Sequence, residues 1–222
     1  MVRRGGGGGG YQYYEGARLP PPPDLPSLLL SERIVYLGLP LVSQVTELII
    51  AQLLYLEYES ADKPILMYIN SSGNEDGRGR PVAFETEALA LADVMNYVKP
   101  PVHTICVGQA FGTAAMLLAN GEKGYRYSLP NSTILLKQPV GGTRGQASDI
   151  AAGAKEVLFM RNQMVQIISQ ASGKGFDTVM HDLQRSKYLT AEEAKAYGLI
   201  DRVLDSKKDL TVPPPMPIVQ AT

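Results

Sequence analysis

"VGQAFGTAAMLLANGEKGYRYSLPNSTILLKQPVGG", Val107 to Gly142, is the stretch whose reading decides the fold. It leaves a strand through a glycine turn at Gly112, enters a short apolar helix, "TAAMLLANG", closed by Gly121, and continues into "STILLKQP". Strand, helix and strand in that order make a crossover unit, which argues for parallel pairing. The glycines and small residues frame a position for a reactive group. Yet Phe111, Gly112 and Thr113 stand where such a frame would hold a nucleophile, and the stretch contains no histidine.

Upstream, the same alternation repeats. "RIVYLG" (Arg33 to Gly38) is a β-rich run ended by glycine. "SQVTELIIAQLLYLEYE" places Val45, Leu48, Ile49, Leu53 and Leu56 on a helical stripe. "KPILMYINSSG" reads as a buried strand ending in a Ser-Ser-Gly turn, "ETEALALADVMNYV" as a helix and "PPVHTICVG" as a strand. The chain is therefore expected to be α/β. Downstream, Ala147 to Ser172 forms the longest helical pattern, 26 residues, which would run roughly 39 Å. It is longer than a domain of this size needs for its own core. It either covers a partner subunit or packs along one chain, and its length leaves both readings open. "SKYLTAEEAKAYGLID" carries a capping-box pattern, Thr190 with Glu193 three residues on, and Gly198 where a helix would end.

The 222 residues suffice for one well-buried core. Lys plus Arg number 21 against 22 Asp plus Glu, so no basic surplus marks a general nucleic-acid binder. Near-neutral charge leaves little repulsion between copies, which suits assembly. Cys106 is the only cysteine, and His103 and His181 lie far apart. No disulfide or cysteine-based metal site is expected, and zinc is not; no cofactor is implied. A lone thiol fits a reducing compartment. No run of about 18 apolar residues suggests a membrane span. The first residues, "MVRRGGGGGGYQYYEGARLPPPPDLP", lack the apolar centre of a signal peptide. They read as a flexible Gly/Pro-rich arm over 1–27, with a faint likeness to RNA-binding Arg-Gly segments. Residues 28–205 form the domain, and 206–222, with "LTVPPPMPIVQAT", a proline-rich tail.

Six segments, in order, resemble the ClpP family of barrel-forming serine peptidase subunits that work with ATP-driven unfoldases. They are "LLSERIVYLG", "ELIIAQLLYLE", "MYINSSG", "VKPPVHTICVGQA", "LLANGEKGYRYSLPNSTILLKQPVGGTRGQASDI" and "YLTAEEAKAYGLID". Together they cover about Asp24 to Val203. The resemblance implies the ClpP/crotonase-like spiral of β-α units, with the long helix as a protruding handle by which two heptameric rings stack.

Family chemistry uses a serine nucleophile, a histidine base and an aspartate that orients it. The serine follows "GQAA" in the family, and the matching residue here is Gly112. The histidine precedes "QP", matching Lys137, and the aspartate position is Ser186. No triad member is retained, so the resemblance implies no catalytic residue. Losing the nucleophile or base alone costs on the order of a million-fold in turnover. The oxyanion turn also departs: Ser71, Ser72, Gly73 and Asn74 are followed by "EDGRGRPVAF". This insertion, about 74–84, is expected to rearrange or cover the substrate groove.

The pattern resembles the ClpR branch, non-catalytic subunits of chloroplasts and cyanobacteria. That likeness implies catalytic ClpP and other ClpR-type subunits as ring partners, an AAA+ Clp unfoldase and accessory Clp subunits. It implies neither nucleic acid nor membrane as a partner. It places the chain in the chloroplast stroma, or alternatively the cyanobacterial cytoplasm. Two rival readings stand beside it. A displaced Thr113–Lys137 dyad would give a weak peptidase, since lysine serves some hydroxyl nucleophiles as base. A crotonase-like oxyanion hole would instead bind an acyl thioester. His181 reads as surface, His103 as a core or interface histidine, Phe111 as packing beside the vacated position, and Cys106 as inert core.

Overall fold

A computed structural model describes residues 13–14, 17–18, 24–76, 78–140 and 145–206. The Gly5 to Gly10 run, most of the proline-rich tail and the Gly-Gly turn at 141–142 lie outside the described residues. Within the segment expected to be an arm, β1 (Tyr13–Tyr14) pairs antiparallel with β2 (Ala17–Arg18). The arm also ends earlier than residue 27, because α1 (Leu25–Ser31) already includes Pro26 in its first turn. Proline is at home there, where its missing N–H has no helical partner to lose.

Alternating β-rich and helical stretches become β3 (Ile34–Leu37), α2 (Ser43–Glu59), β4 (Ile65–Ser71), α3 (Glu85–Tyr97) and β5 (Val102–Phe111). There follow α4 (Thr113–Ala119), β6 (Arg126–Ser128), β7 (Thr133–Leu136), α5 (Ala147–Ser172), α6 (Phe176–Leu183), β8 (Lys187–Thr190), α7 (Ala191–Tyr197) and β9 (Arg202–Val203). Strands β3, β4, β5, β6 and β9 run parallel in that spatial order.

β5 is the strand that turns the sheet. Its first half pairs with β6 through Thr104 to Cys106, its second half with β7 through Gln109 to Phe111. Between the halves the β4–β5 register shifts, and Ser132 serves the interruption, accepting the Gly108 N–H (3.1 Å) and donating to the Cys106 carbonyl (3.1 Å). A bulge leaves backbone groups unpaired, and a buried hydroxyl is the cheapest way to satisfy them. β7 then pairs antiparallel with β8, a pairing outside the parallel crossover units. Lys187–Thr190 reads in the sequence only as the approach to a helix cap. Its β character comes from a partner some fifty residues away.

The main core lies on one face of the sheet, from Val35, Met67 and Ile69 to Leu53, Leu91, Val165, Ile168 and Leu183 of the covering helices. α4 is buried on every side, as a seven-residue helix apolar in all but its first residue, Thr113, must be. α5 divides in two. Met160, Met164, Val165 and Ile168 bury its second half, whereas Ile150, Leu158 and Phe159 stay exposed on the first. Among the described residues the chain supplies no cover for that half. α7 has the expected box: the Thr190 hydroxyl accepts the Glu193 N–H (3.3 Å), and the Glu193 carboxylate accepts the Thr190 N–H (2.8 Å). No described helix is long and apolar enough to cross a membrane.

Candidate functional site

The topology brings the three expected positions to one end of the sheet. Gly112 follows β5, and its N–H donates to the Leu135 carbonyl of β7 at 2.8 Å. β7 and β8 are in register to Leu136 opposite Lys187. One residue further along that antiparallel pair come Lys137 and Ser186. A Cβ built on Gly112 would lie 3.5 Å from Lys137 Cγ, ordinary van der Waals contact. Ser186 is exposed just ahead of β8.

Gly112 turns with φ 56° and ψ −113°, a region that side-chain-bearing residues enter only under strain. Such a turn between strand and helix projects the residue at its apex. Here the apex carries hydrogen. Its neighbours face other work. The Thr113 hydroxyl donates to Asn74 Oδ1, and the Lys137 ammonium pairs with the Glu75 carboxylate. No Thr113–Lys137 dyad forms in this arrangement, because each polar group is engaged by the insertion. Phe111 packs edge-on against Tyr188, ring centroids 6.1 Å apart, so it fills space as expected.

The insertion is a short hairpin rather than an open surface loop. Glu75 and Pro81 form an antiparallel bridge, and the Val82 N–H donates to the Asn74 carbonyl (2.9 Å). At its tip, Asp76 accepts the N–H groups of Arg78 (2.8 Å) and Arg80 (2.9 Å) and the Arg80 guanidinium (2.7 Å). These contacts, the Arg80 N–H foremost, hold the Asp76 carboxyl below its usual range. At its base the Ser72 hydroxyl donates to the Glu75 carbonyl. Gly73 (φ 72°) lies so close to the β5–α4 turn that a Cβ would meet the Phe111 carbonyl at 2.5 Å.

Under the hairpin remains a cavity of about 20 Å³, lined by Ser72, Asn74, Glu75, Gly112, Thr113 and Lys137 among others. That volume holds about one water. A larger apolar groove, about 970 Å³, runs from Val82 and Phe84 past Val140 to Ile150, Val157 and Leu158 of α5. Glu85, buried at the start of α3, lies between the two. Burial raises its carboxyl above the usual value, against the N–H of Val140 and its own N–H, which favour the charged form.

The remaining titratable candidates behave as bystanders. Cys106 is buried, its thiol pushed up to about 11 by burial. His103 stacks on Tyr125 with centroids 4.1 Å apart, and burial lowers its pKa. His181 is exposed on α6. Among the described residues no cluster of His, Cys, Asp and Glu could hold a metal ion. What the sequence did not disclose is the part played by Asn74, Glu75 and Glu85. Asn74 and Glu75 belong to a polar, glycine-bearing insertion and Glu85 to the helix that follows it, and only the closed hairpin reveals what surrounds them.

A family model described as Clp protease matches residues 23–207. A Clp protease proteolytic subunit-like protein of Synechococcus elongatus is 55% identical over 202 residues, 86% of this chain and 89% of that one. The chloroplastic ATP-dependent Clp protease proteolytic subunit-related protein 4 of Arabidopsis thaliana is 48% identical over 185 residues, 83% of this chain and 60% of that one. A crystal structure of a peptidase from Plasmodium falciparum superposes with a TM-score of 0.76 at 41% identity, covering 82% of this chain and all of that one.

Proposed function

Given that the chain belongs to the Clp protease family, we propose that it is a non-catalytic subunit of a mixed Clp protease core. In this reading catalytic ClpP-type subunits beside it in stacked heptameric rings supply the peptidase chemistry. An AAA+ unfoldase feeds the barrel. This chain contributes chamber wall and subunit contacts. The observation that carries the reading is Gly112. The strained strand-to-helix turn of a nucleophile is present, with no side chain at its apex. Lys137 and Ser186 stand where a base and its orienter would be needed.

The half-uncovered α5 supports the assembly clause. Ile150, Leu158 and Phe159 project from about 20 Å of helix that the described chain does not cover. An apolar stripe of that length calls for a partner surface. The chloroplast stroma is the proposed location and the cyanobacterial cytoplasm the alternative, supported by a chloroplastic relative and by cyanobacterial ones.

The test uses the co-assembled core with its catalytic subunits present. Fluorophosphonate and β-lactone probes are applied, and each subunit is weighed intact by mass spectrometry. Labelled partners beside an unmodified copy of this chain are expected. An adduct on Thr113 would sink the proposal.

A further inference from the structure

The hairpin is tied to the vacated site by the adjacent side chains of Asn74 and Glu75. Glu75 reaches the Lys137 ammonium at the exit of β7. Asn74 accepts the Thr113 hydroxyl at the start of α4 and gives its Nδ2 to the Phe84 carbonyl. One amide thereby joins the entry of the hairpin, its exit and the turn beneath it. Glu85 is buried beside them at the start of α3. The tip is braced by Asp76, so the segment holds together as a unit rather than fraying residue by residue.

We propose that the hairpin arms, residues 74–76 and 78–84, are an autoinhibitory plug, an internal ligand whose Glu75 carboxylate occupies Lys137 and closes the groove to peptide. This closure is separate from the missing nucleophile: it would exclude substrate whatever residue stood at 112. It rests on the ion pair and the amide bridge, and stands or falls independently of whether the chain is catalytic.

Magnitudes decide how firm the latch is. The Glu75 and Lys137 side chains are 15% and 23% exposed. They are sheltered enough for the attraction to exceed that of a surface pair. They are wet enough that neither charge is locked in place as a fully buried one would be. Removing either partner leaves the other charge half-buried at the floor of a one-water cavity. The segment then has reason to swing out, with Gly73 as the permissive joint at its entry.

The experiment reads access to the cavity in the full chain. Gln138 lines the cavity wall, so Gln138→Cys serves as a reporter thiol. The native Cys106 is buried and its thiol raised to about 11, which keeps it silent. Alkylation by iodoacetamide is expected to be slow in the reporter chain. It should become at least about tenfold faster with Glu75→Ala or Lys137→Met. Exchanging the charges, Glu75→Lys with Lys137→Glu, restores slow labelling, which a merely misfolded variant would not do. Hydrogen exchange at the Asp76 and Val82 amides quickens in the single variants and recovers in the exchanged one. A fluorescein-labelled unstructured casein fragment then protects the reporter in the opened variants alone. Equal labelling in all chains overturns the plug, as does fast labelling of the exchanged pair. Failure of the fragment to protect an opened variant overturns closure against peptide.

Discussion

At Gly112 the backbone conformation and the residue type have to be weighed together. With φ 56° and ψ −113°, any residue bearing a Cβ incurs a cost of about 1–3 kcal/mol. Space is available, since the nearest atom to a built Cβ is Lys137 Cγ at 3.5 Å. Gly112→Ala therefore tests strain with little steric conflict. A fall in Tm of roughly 2–10 °C is expected by calorimetry for a chain of this size. Gly112→Ser should cost about as much and remain unlabelled by fluorophosphonate in the assembled core. Its hydroxyl would face a lysine that is engaged by Glu75. Labelling of that serine would show that Lys137 can act as a base after all.

The helices separate contributions to folding from contributions to assembly. At α7 the reciprocal Thr190–Glu193 contacts satisfy two N–H groups that the helix itself cannot. Thr190→Ala should cost about 1 kcal/mol in thermal or urea unfolding, and Thr190→Asp, which can still cap, much less. On α5 the opposite result is expected. Leu158 and Phe159 are 47% and 56% exposed. Changing both to Glu should alter the stability of the isolated chain by no more than about 0.5 kcal/mol per site. Native mass spectrometry should nevertheless show the variant excluded from rings that accept the parent chain. Normal incorporation would mean that this half-helix is not a subunit contact.

Across the whole molecule, the pair Arg126–Asp201 closes the fold. The Arg126 guanidinium is 3% exposed and meets Asp201 at 2.7 Å, joining β6 to the α7–β9 connection. It also donates to the carbonyls of Ala119 and Ala171, tying in α4 and α5. Asp201→Ala would strand a buried cation and should cost about 3 kcal/mol. Burial pushes the Asp201 carboxyl up, but the hydrogen bonds and charge of Arg126 and the N–H of Gly124 outweigh it and hold the pKa below the usual value. A carboxylate lowered in the folded state contributes stability above its unfolded pKa, about 3.9. That contribution is lost as pH falls through the folded value. Calorimetry is expected to show a steep loss of Tm below about pH 4, with a weaker loss in Asp201→Asn.

Most of the element order was legible in the sequence because buried strands and amphipathic helices carry periods that local chemistry sets. The 3.6-residue stripe of α2 at Ile49, Leu53 and Leu56, the capping box at Thr190 and the length of α5 needed no partner to be read, although Leu48, placed on that stripe, is 59% exposed. Identity at positions 112, 137 and 186 was equally plain, since a residue type is a local fact. Other features depended on what lies opposite in space. β8 is a strand because β7 offers it an edge, and β5 changes partners because Ser132 repairs its bulge. The insertion, polar and glycine-bearing, could be recognised as a loop and as a neighbour of the groove. That it closes into a hairpin with Glu75 on Lys137 and Asn74 on Thr113 was decided only in the tertiary structure. The reason is physical: a charged side chain selects its partner by distance after folding, and no sequence period encodes an ion pair between residues 62 positions apart.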